Sequence, residues 1–231
     1  MFIKVFSDLY STFFPRKCTN CGKNLDKTEQ EVCKKCLNLL PETSFLNDQN
    51  NPVFQKFWGR VNIEFAMSMY YFTKQSVLQH LLHQIKYKGR KELAYVLGKS
   101  IGQKLKSSDN FKSCDVIVPV PLHPAKEKKR GYNQSEWIAK GISEQMGVPI
   151  DTKLIQRHLN SKSQTRKNRK ERWENVRSAF SIQNTKKPDY KHALLIDDVI
   201  TTGATLEACA ALLINELDLK VSITALAYAS D

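Results

Sequence analysis

The sequence predicts an α/β protein, a mostly parallel sheet flanked by helices, with a small cysteine-rich module ahead of it. Three observations carry this expectation. The apolar runs in "DVIVPVP" and "ALLIDDV" are continuous rather than alternating, the pattern of strands covered on both faces. Such strands alternate along the chain with stretches of helical periodicity, which favours parallel pairing. Four of the six cysteines lie close together near the N-terminus, as Cys18-x2-Cys21 and Cys33-x2-Cys36.

The elements follow in order. In "MFIKVFSDLYSTFFPRKC", Phe2, Phe6, Leu9, Tyr10 and Phe13 recur at helical spacing, giving an amphipathic helix that ends near Pro15. Its apolar face suits packing on the adjacent domain first and a membrane surface second. Lys4, Ser7 and Asp8 interrupt it and no small-residue cleavage site follows, so it is not read as a secretory signal. The paired Cys-x2-Cys knuckles bring four thiolates to the corners of a tetrahedron, the arrangement Zn²⁺ prefers, with no position left for a catalytic water. The intervening "GKNLDKTEQEV" has little core of its own, so metal binding supplies much of the module's folding energy. A disulfide pair is the competing reading and suits an oxidising compartment. Cys114 and Cys209 stand alone and are read as packing residues.

Residues 1–40 thus form the helix and zinc ribbon, 41–60 a linker rich in polar residues, and 61–231 the main domain. Within that domain "IEFAMSMYYFT" predicts a strand, and "SVLQHLLHQIKYKGR" and "ELAYVLGKSIGQKL" predict helices. His80 and His83, on the first of these, have no partner at ligand spacing and are read as surface residues. "DVIVPVP" is a strand that stops at proline, Asn133 with Glu136 resembles a capping pair, and "LIQRH" and "AFSI" are short strands. "ALLIDDV", a helix over 206–213 and "VSITALAYA" complete the domain.

The chemistry concentrates in "LLIDDVITTGAT". Carboxylates are costly to bury, so Asp197 and Asp198 are expected where the strand emerges, at the edge where open α/β sheets bind ligands. Thr201, Thr202, Gly203, Ala204 and Thr205 then open a helix, whose free amides and dipole suit a phosphate. The threonine hydroxyls add donors, and Gly203 lets the backbone come close. Acids beside an anion cradle fit a sugar phosphate: the carboxylates accept from ribose hydroxyls and the amides hold the phosphate.

There are 36 basic residues against 23 acidic, a net charge of +13. That surplus points to polyanionic partners. Two segments carry it. "PLHPAKEKKRGYNQ" places Lys126, Lys128, Lys129 and Arg130 in a second ligand-side loop. The stretch from Ser161 to Arg177 carries Lys162, Arg166, Lys167, Arg169, Lys170, Arg172 and Arg177 against Glu171 and Glu174. Like charges in a row resist packing, so this loop is expected to move until an anion arrives. Trp173 within it offers either an anchor to the core or a face on which a base stacks. No apolar run is long enough to span a bilayer, and the protein is expected inside the cell.

The two Cys-x2-Cys knuckles, "KYKGR" at 86–90, "PVPLHPAKEKKRGYNQ", "QT…R..NV..AF" from Gln164 to Phe180 and "LLIDDVITTGAT" occur in one order over nearly the full length. In this the chain resembles the ComF family, in its ComFC-like branch, which pairs a four-cysteine zinc module with a type I phosphoribosyltransferase domain. Lys167 stands where the family more usually has an apolar residue. The resemblance implies that Asp197 and Asp198 bind the ribose hydroxyls of phosphoribosyl pyrophosphate and that Thr201 to Thr205 hold its 5-phosphate. It implies that Val120, Pro121 and Leu122 form the pyrophosphate loop, with Arg130 as a charge clamp and Mg²⁺ bridging the ligand's oxygens. The implied role is natural transformation: binding single-stranded DNA in the cytoplasm, alongside other DNA-uptake proteins at the inner membrane face. Two other readings stay open, an ordinary phosphoribosyltransferase acting on a nucleobase or related acceptor and a nucleotide sensor without turnover.

Overall fold

The structure is a computed structural model that describes residues 15–158, 179–183 and 189–230. Its centre is a parallel sheet of β1 (Phe65–Tyr71), β2 (Val116–Pro119), β5 (His192–Ile200) and β6 (Lys220–Tyr228), in the order β1-β6-β5-β2. A short helix, α1 (Lys34–Leu37), lies in the cysteine module; α3 (Val77–Tyr87) and α4 (Lys91–Lys106) connect β1 to β2, α6 (Gln134–Met146) follows β2, and α7 (Ala204–Leu217) joins β5 to β6. The expected α/β class and mostly parallel sheet are borne out. Leu194, Leu195 and Ile196 of β5 are fully buried, as a strand covered on both faces requires.

Both edges of the sheet are covered. Residues 41–52 have a linker's composition, yet they run along β1. The amide of Thr43 donates to the Met69 carbonyl at 3.0 Å, and that of Tyr71 donates to Pro41 at 2.8 Å. Asn51 is fully buried. Its side-chain oxygen caps a short helix, α2 (Pro52–Gln55), and its amide donates to the Ala66 carbonyl at 2.9 Å. Residues 149–151 cover β2 in the same way, through Ile117 N to Pro149 O at 2.8 Å. Covering an edge removes a template for unwanted pairing.

Helices α4 and α6 meet backbone to backbone. A Cβ at Gly98 would fall on the Ile138 carbonyl oxygen, and one at Gly141 on the carbonyl of Tyr95. Glycine is required there by contact rather than by conformation.

One further segment differs from its sequence expectation. The basic stretch after β2 contains a helix, α5 (Pro124–Arg130), with His123 as N-cap, Pro124 in its first turn and Gly131 left-handed at its end. Asn133 does cap α6, accepting from Ser135 N. Its own amide donates to Val120 O at 3.0 Å and reaches Glu136 at 3.4 Å. Strands β3 (Ile155–Arg157) and β4 (Phe180–Ile182) pair antiparallel, and His158 N donates to Ala179 O at 2.8 Å. The Ser161–Arg177 segment, with Lys162, Arg166, Lys167, Arg169, Lys170, Arg172 and Trp173, lies outside the described residues, as does the expected helix ahead of Pro15.

Candidate functional site

Strand β5 outruns β2. The β2 ladder ends with Pro119 opposite Ile196, whereas β5 and β6 stay paired to Ile200 and Tyr228. The aspartates were expected where the strand emerges. They lie inside it, because β6 carries the pairing onward through Asp197 opposite Ala225. What leaves that edge of β5 unpaired at Asp197 is the early stop of β2 on the other side, where the amide of Val120 closes the ladder on Ile196 O at 2.8 Å.

Successive side chains of a strand leave on opposite faces, and the two carboxylates find different partners. Asp197 accepts from the Ser135 hydroxyl at 3.1 Å, at the start of α6, and from the Asp198 amide at 2.8 Å. Asp198 is buried and pairs with Lys86, in the last turn of α3, at 3.0 Å. Burial first, and the adjacent Asp198 carboxylate second, push Asp197 up to about 7.

Beyond Ile200 the chain turns through Thr201 and Thr202 into Gly203, whose φ of +76° caps α7. The turn borders a hollow of about 40 Å³ that reaches back to Asp197. The Thr202 hydroxyl accepts from Ala204 N at 3.4 Å. Arg60 braces the turn from behind, donating to the Thr202 carbonyl at 3.0 Å while pairing with Glu207 of α7. The Phe57 ring lies close under Gly203, leaving little room for a side chain. The start of α7 thus faces a small hollow that Asp197 also borders.

On the opposite flank, Lys86, Lys126, Lys129 and Arg130 line a hollow of about 300 Å³. Three of these lie on α5 at i, i+3 and i+4, and so on one helix face. Lys128 does not line it. Arg130 donates to Gln134 of α6. Among the predicted residues, Val120, Pro121 and Leu122 follow the end of β2. Lys86, Ser135 and Arg60 hold the site together without having been singled out. "KYKGR" was the available signal for Lys86, and the others meet the site only through the fold.

The sulfurs of Cys18, Cys21, Cys33 and Cys36 lie within 4.8 Å of one another, with Cys21 and Cys33 at 3.8 Å. Four thiolates about 2.3 Å from a Zn²⁺ stand about 3.8 Å apart in a tetrahedron, so the donor set and its size fit the ion. The amide of Cys33 donates to the Cys18 sulfur at 3.4 Å and the Asn20 side chain to Cys36 at 3.3 Å. Such donors orient and stabilise thiolates. Glu29 braces the second knuckle, accepting from Lys34 N at 2.8 Å and Asp26 N at 2.9 Å. Cys114 and Cys209 are buried in the main core. His80 approaches the Thr19 carbonyl at 3.3 Å, where α3 meets the cysteine module.

Residues 94–230 match the model of the family described as "Phosphoribosyl transferase domain". The match spans more than half of the chain, which therefore belongs to that family. The chain is also 27% identical to Competence protein F of Haemophilus influenzae over 214 residues, covering 87% of this chain and 92% of that protein. DNA utilization protein YhgH of Salmonella typhimurium is 30% identical over 141 residues, which cover 60% of this chain and 61% of YhgH. Competence protein ComFC of Bacillus subtilis is 25% identical over 202 residues, 86% of this chain and 78% of the relative. Two of these relatives bear the competence name, in keeping with the ComF resemblance. No helix among the described residues is long and apolar enough to cross a membrane.

Proposed function

We propose that the chain is a ComF-type competence protein that acts in DNA uptake, binds single-stranded DNA in the cytoplasm and carries a site for phosphoribosyl pyrophosphate with Mg²⁺. One observation supports the ligand above the others. Asp197 and Asp198 stand at the carboxyl edge of a parallel sheet, one turn from the amides of Thr201 to Thr205. Ribose hydroxyls donate to the carboxylates, the helix start holds the 5-phosphate, and the pyrophosphate lies along Val120 to Leu122 towards Arg130. Mg²⁺ neutralises the pyrophosphate and keeps most of its waters. Zn²⁺ in the four-cysteine cluster holds the N-terminal module together. The DNA role rests on the net charge of +13 and on relatives named for competence and DNA utilization. Other DNA-uptake proteins at the inner face of the membrane are the partners such a role calls for.

The family match favours a second reading, in which an acceptor such as a nucleobase displaces pyrophosphate. That displacement develops positive charge on the ribose, which the paired carboxylates would stabilise. Calorimetric titration of phosphoribosyl pyrophosphate with Mg²⁺, with and without oligothymidylate, tests the first reading. Charge-assisted hydrogen bonds are worth about 1.5–3 kcal/mol each, so a folded Asp197→Asn, Asp198→Asn double variant should bind at least about tenfold more weakly. Unchanged binding in that variant takes the site away from these residues. Pyrophosphate released with a candidate acceptor, and not without one, decides for the transferase.

A further inference from the structure

Tyr87 ends α3, is 67% exposed and lines the hollow together with Lys86, Lys126, Lys129 and Arg130. An exposed aromatic at a helix end is unremarkable on its own. Here it meets a neighbouring ring and is set among cations. The ring packs on His83, one turn back, at 4.9 Å between centroids. Among the described residues, no acidic residue lines the hollow. Glu127, the acid of α5, does not line it; after burial, its charge helps to raise the carboxyl of Glu136 on α6. A positioned aromatic face with cations to one side is the pairing that recognises a base and its flanking phosphates.

We propose that the 86–90 loop and α5 together form a groove for single-stranded DNA, in which Tyr87 stacks a base and Lys126 and Lys129 take the adjoining phosphates. The proposal rests on the DNA reading above and deepens it by giving the strand a place outside the Ser161–Arg177 segment. A duplex covers its base faces with neighbouring pairs, so only a strand with free bases can use this ring. Lys86 lines the groove while pairing with Asp198, so the strand would run beside the sugar-phosphate site.

Fluorescence anisotropy of labelled oligothymidylate on the full chain, over a salt series, tests the groove. Tyr87→Ala should weaken binding about tenfold at every salt concentration without changing the log–log slope, and Tyr87→Phe should keep the affinity. Lys126→Gln with Lys129→Gln should instead flatten the slope by about 1.4, at about 0.7 per phosphate contact. Photocrosslinking of a 5-iodouracil oligonucleotide should put the adduct on the peptide that contains Tyr87. Wild-type affinity in Tyr87→Ala, with the adduct on Trp58 or Trp173, overturns the groove and leaves the DNA reading standing. Equal affinity for duplex, or thymidine monophosphate competing as well as the oligonucleotide, also overturns it. A wild-type chain that binds no oligonucleotide ends both.

Discussion

The Lys86 ammonium lies 3.0 Å from a carboxylate oxygen of Asp198, joining the last turn of α3 to the carboxyl half of β5. Both side chains are largely enclosed, so the pair is little screened. Lys86 compensates one of two adjacent acids. The other, Asp197, has a hydroxyl and an amide as partners and holds its proton well above the ordinary range.

That proton gives the first prediction. An unfolded aspartate titrates near about 3.9, and folded Asp197 near about 7. Below about pH 4 both states hold the proton and the group costs nothing. Between about pH 4 and 7 the unfolded chain sheds it first, so stability falls as pH rises, and above that window the loss is constant. Asp197→Asn should therefore flatten the stability–pH curve across this range and melt higher than the wild type at pH 8. Superimposable melts of the two proteins from pH 4 to pH 8 would show that Asp197 is not the titrating group.

The second prediction concerns metal. Protein purified without chelators should carry one zinc, and Cys18→Ser or Cys33→Ser should lose it and unfold the N-terminal module. The main domain should still melt cooperatively, because its sheet buries its own apolar surface. Elemental analysis checks the first outcome and calorimetry the second; zinc-free wild-type protein with an intact module excludes the metal.

A third prediction tests how residues 41–52 hold to β1. Asn51→Ala removes a helix cap and leaves the Ala66 carbonyl without its buried donor. The first loss is worth about 1 kcal/mol and the second about 1–3 kcal/mol. Urea denaturation should show about 2–4 kcal/mol lower stability, whereas a change below about 0.5 kcal/mol is what a true linker would give.

The fourth prediction rests on sequence alone. Reversing Arg166, Lys167 and Arg169 should flatten the log–log slope of single-strand binding against salt by about two. Trp173→Ala should weaken binding at all salt concentrations if its ring stacks, and lower only stability if it anchors the segment. If DNA and phosphoribosyl pyrophosphate share these cations, each should displace the other. Independent simultaneous binding would separate the two sites.

Much of this was legible in the sequence, for identifiable reasons. Leu194 to Ile196 form an unbroken apolar run, which only a strand covered on both faces tolerates, and two acids after such a run mark the ligand edge. Paired Cys-x2-Cys spacing likewise leaves few alternatives. The misses share another cause. In 123–131 the dense lysines have a loop's composition, while Pro124 and Gly131 bracket a helix. In 41–52 the polar residues that suggest a linker are the ones that bond to β1, Asn51 above all. Ser135 and Lys86 join the aspartates only through the packing of α6 and α3, and no local pattern announces a partner so far along the chain.

The glycine contact between α4 and α6 has a reach beyond its own neighbourhood. The 86–90 loop leads into α4, and the turn at 131–133 leads from α5 into α6. The Tyr132 hydroxyl also donates to the Ile85 carbonyl, fastening one approach to the other. The two basic rims of the hollow are therefore mounted on jaws whose opening is fixed at Gly98 and Gly141. With two backbones already touching, the jaws have no slack in which to close, so fitting a ligand falls to side chains and to the loops themselves. A methyl group added at Gly141 would be felt as a change of gauge at the lysines, in affinity as well as in melting temperature.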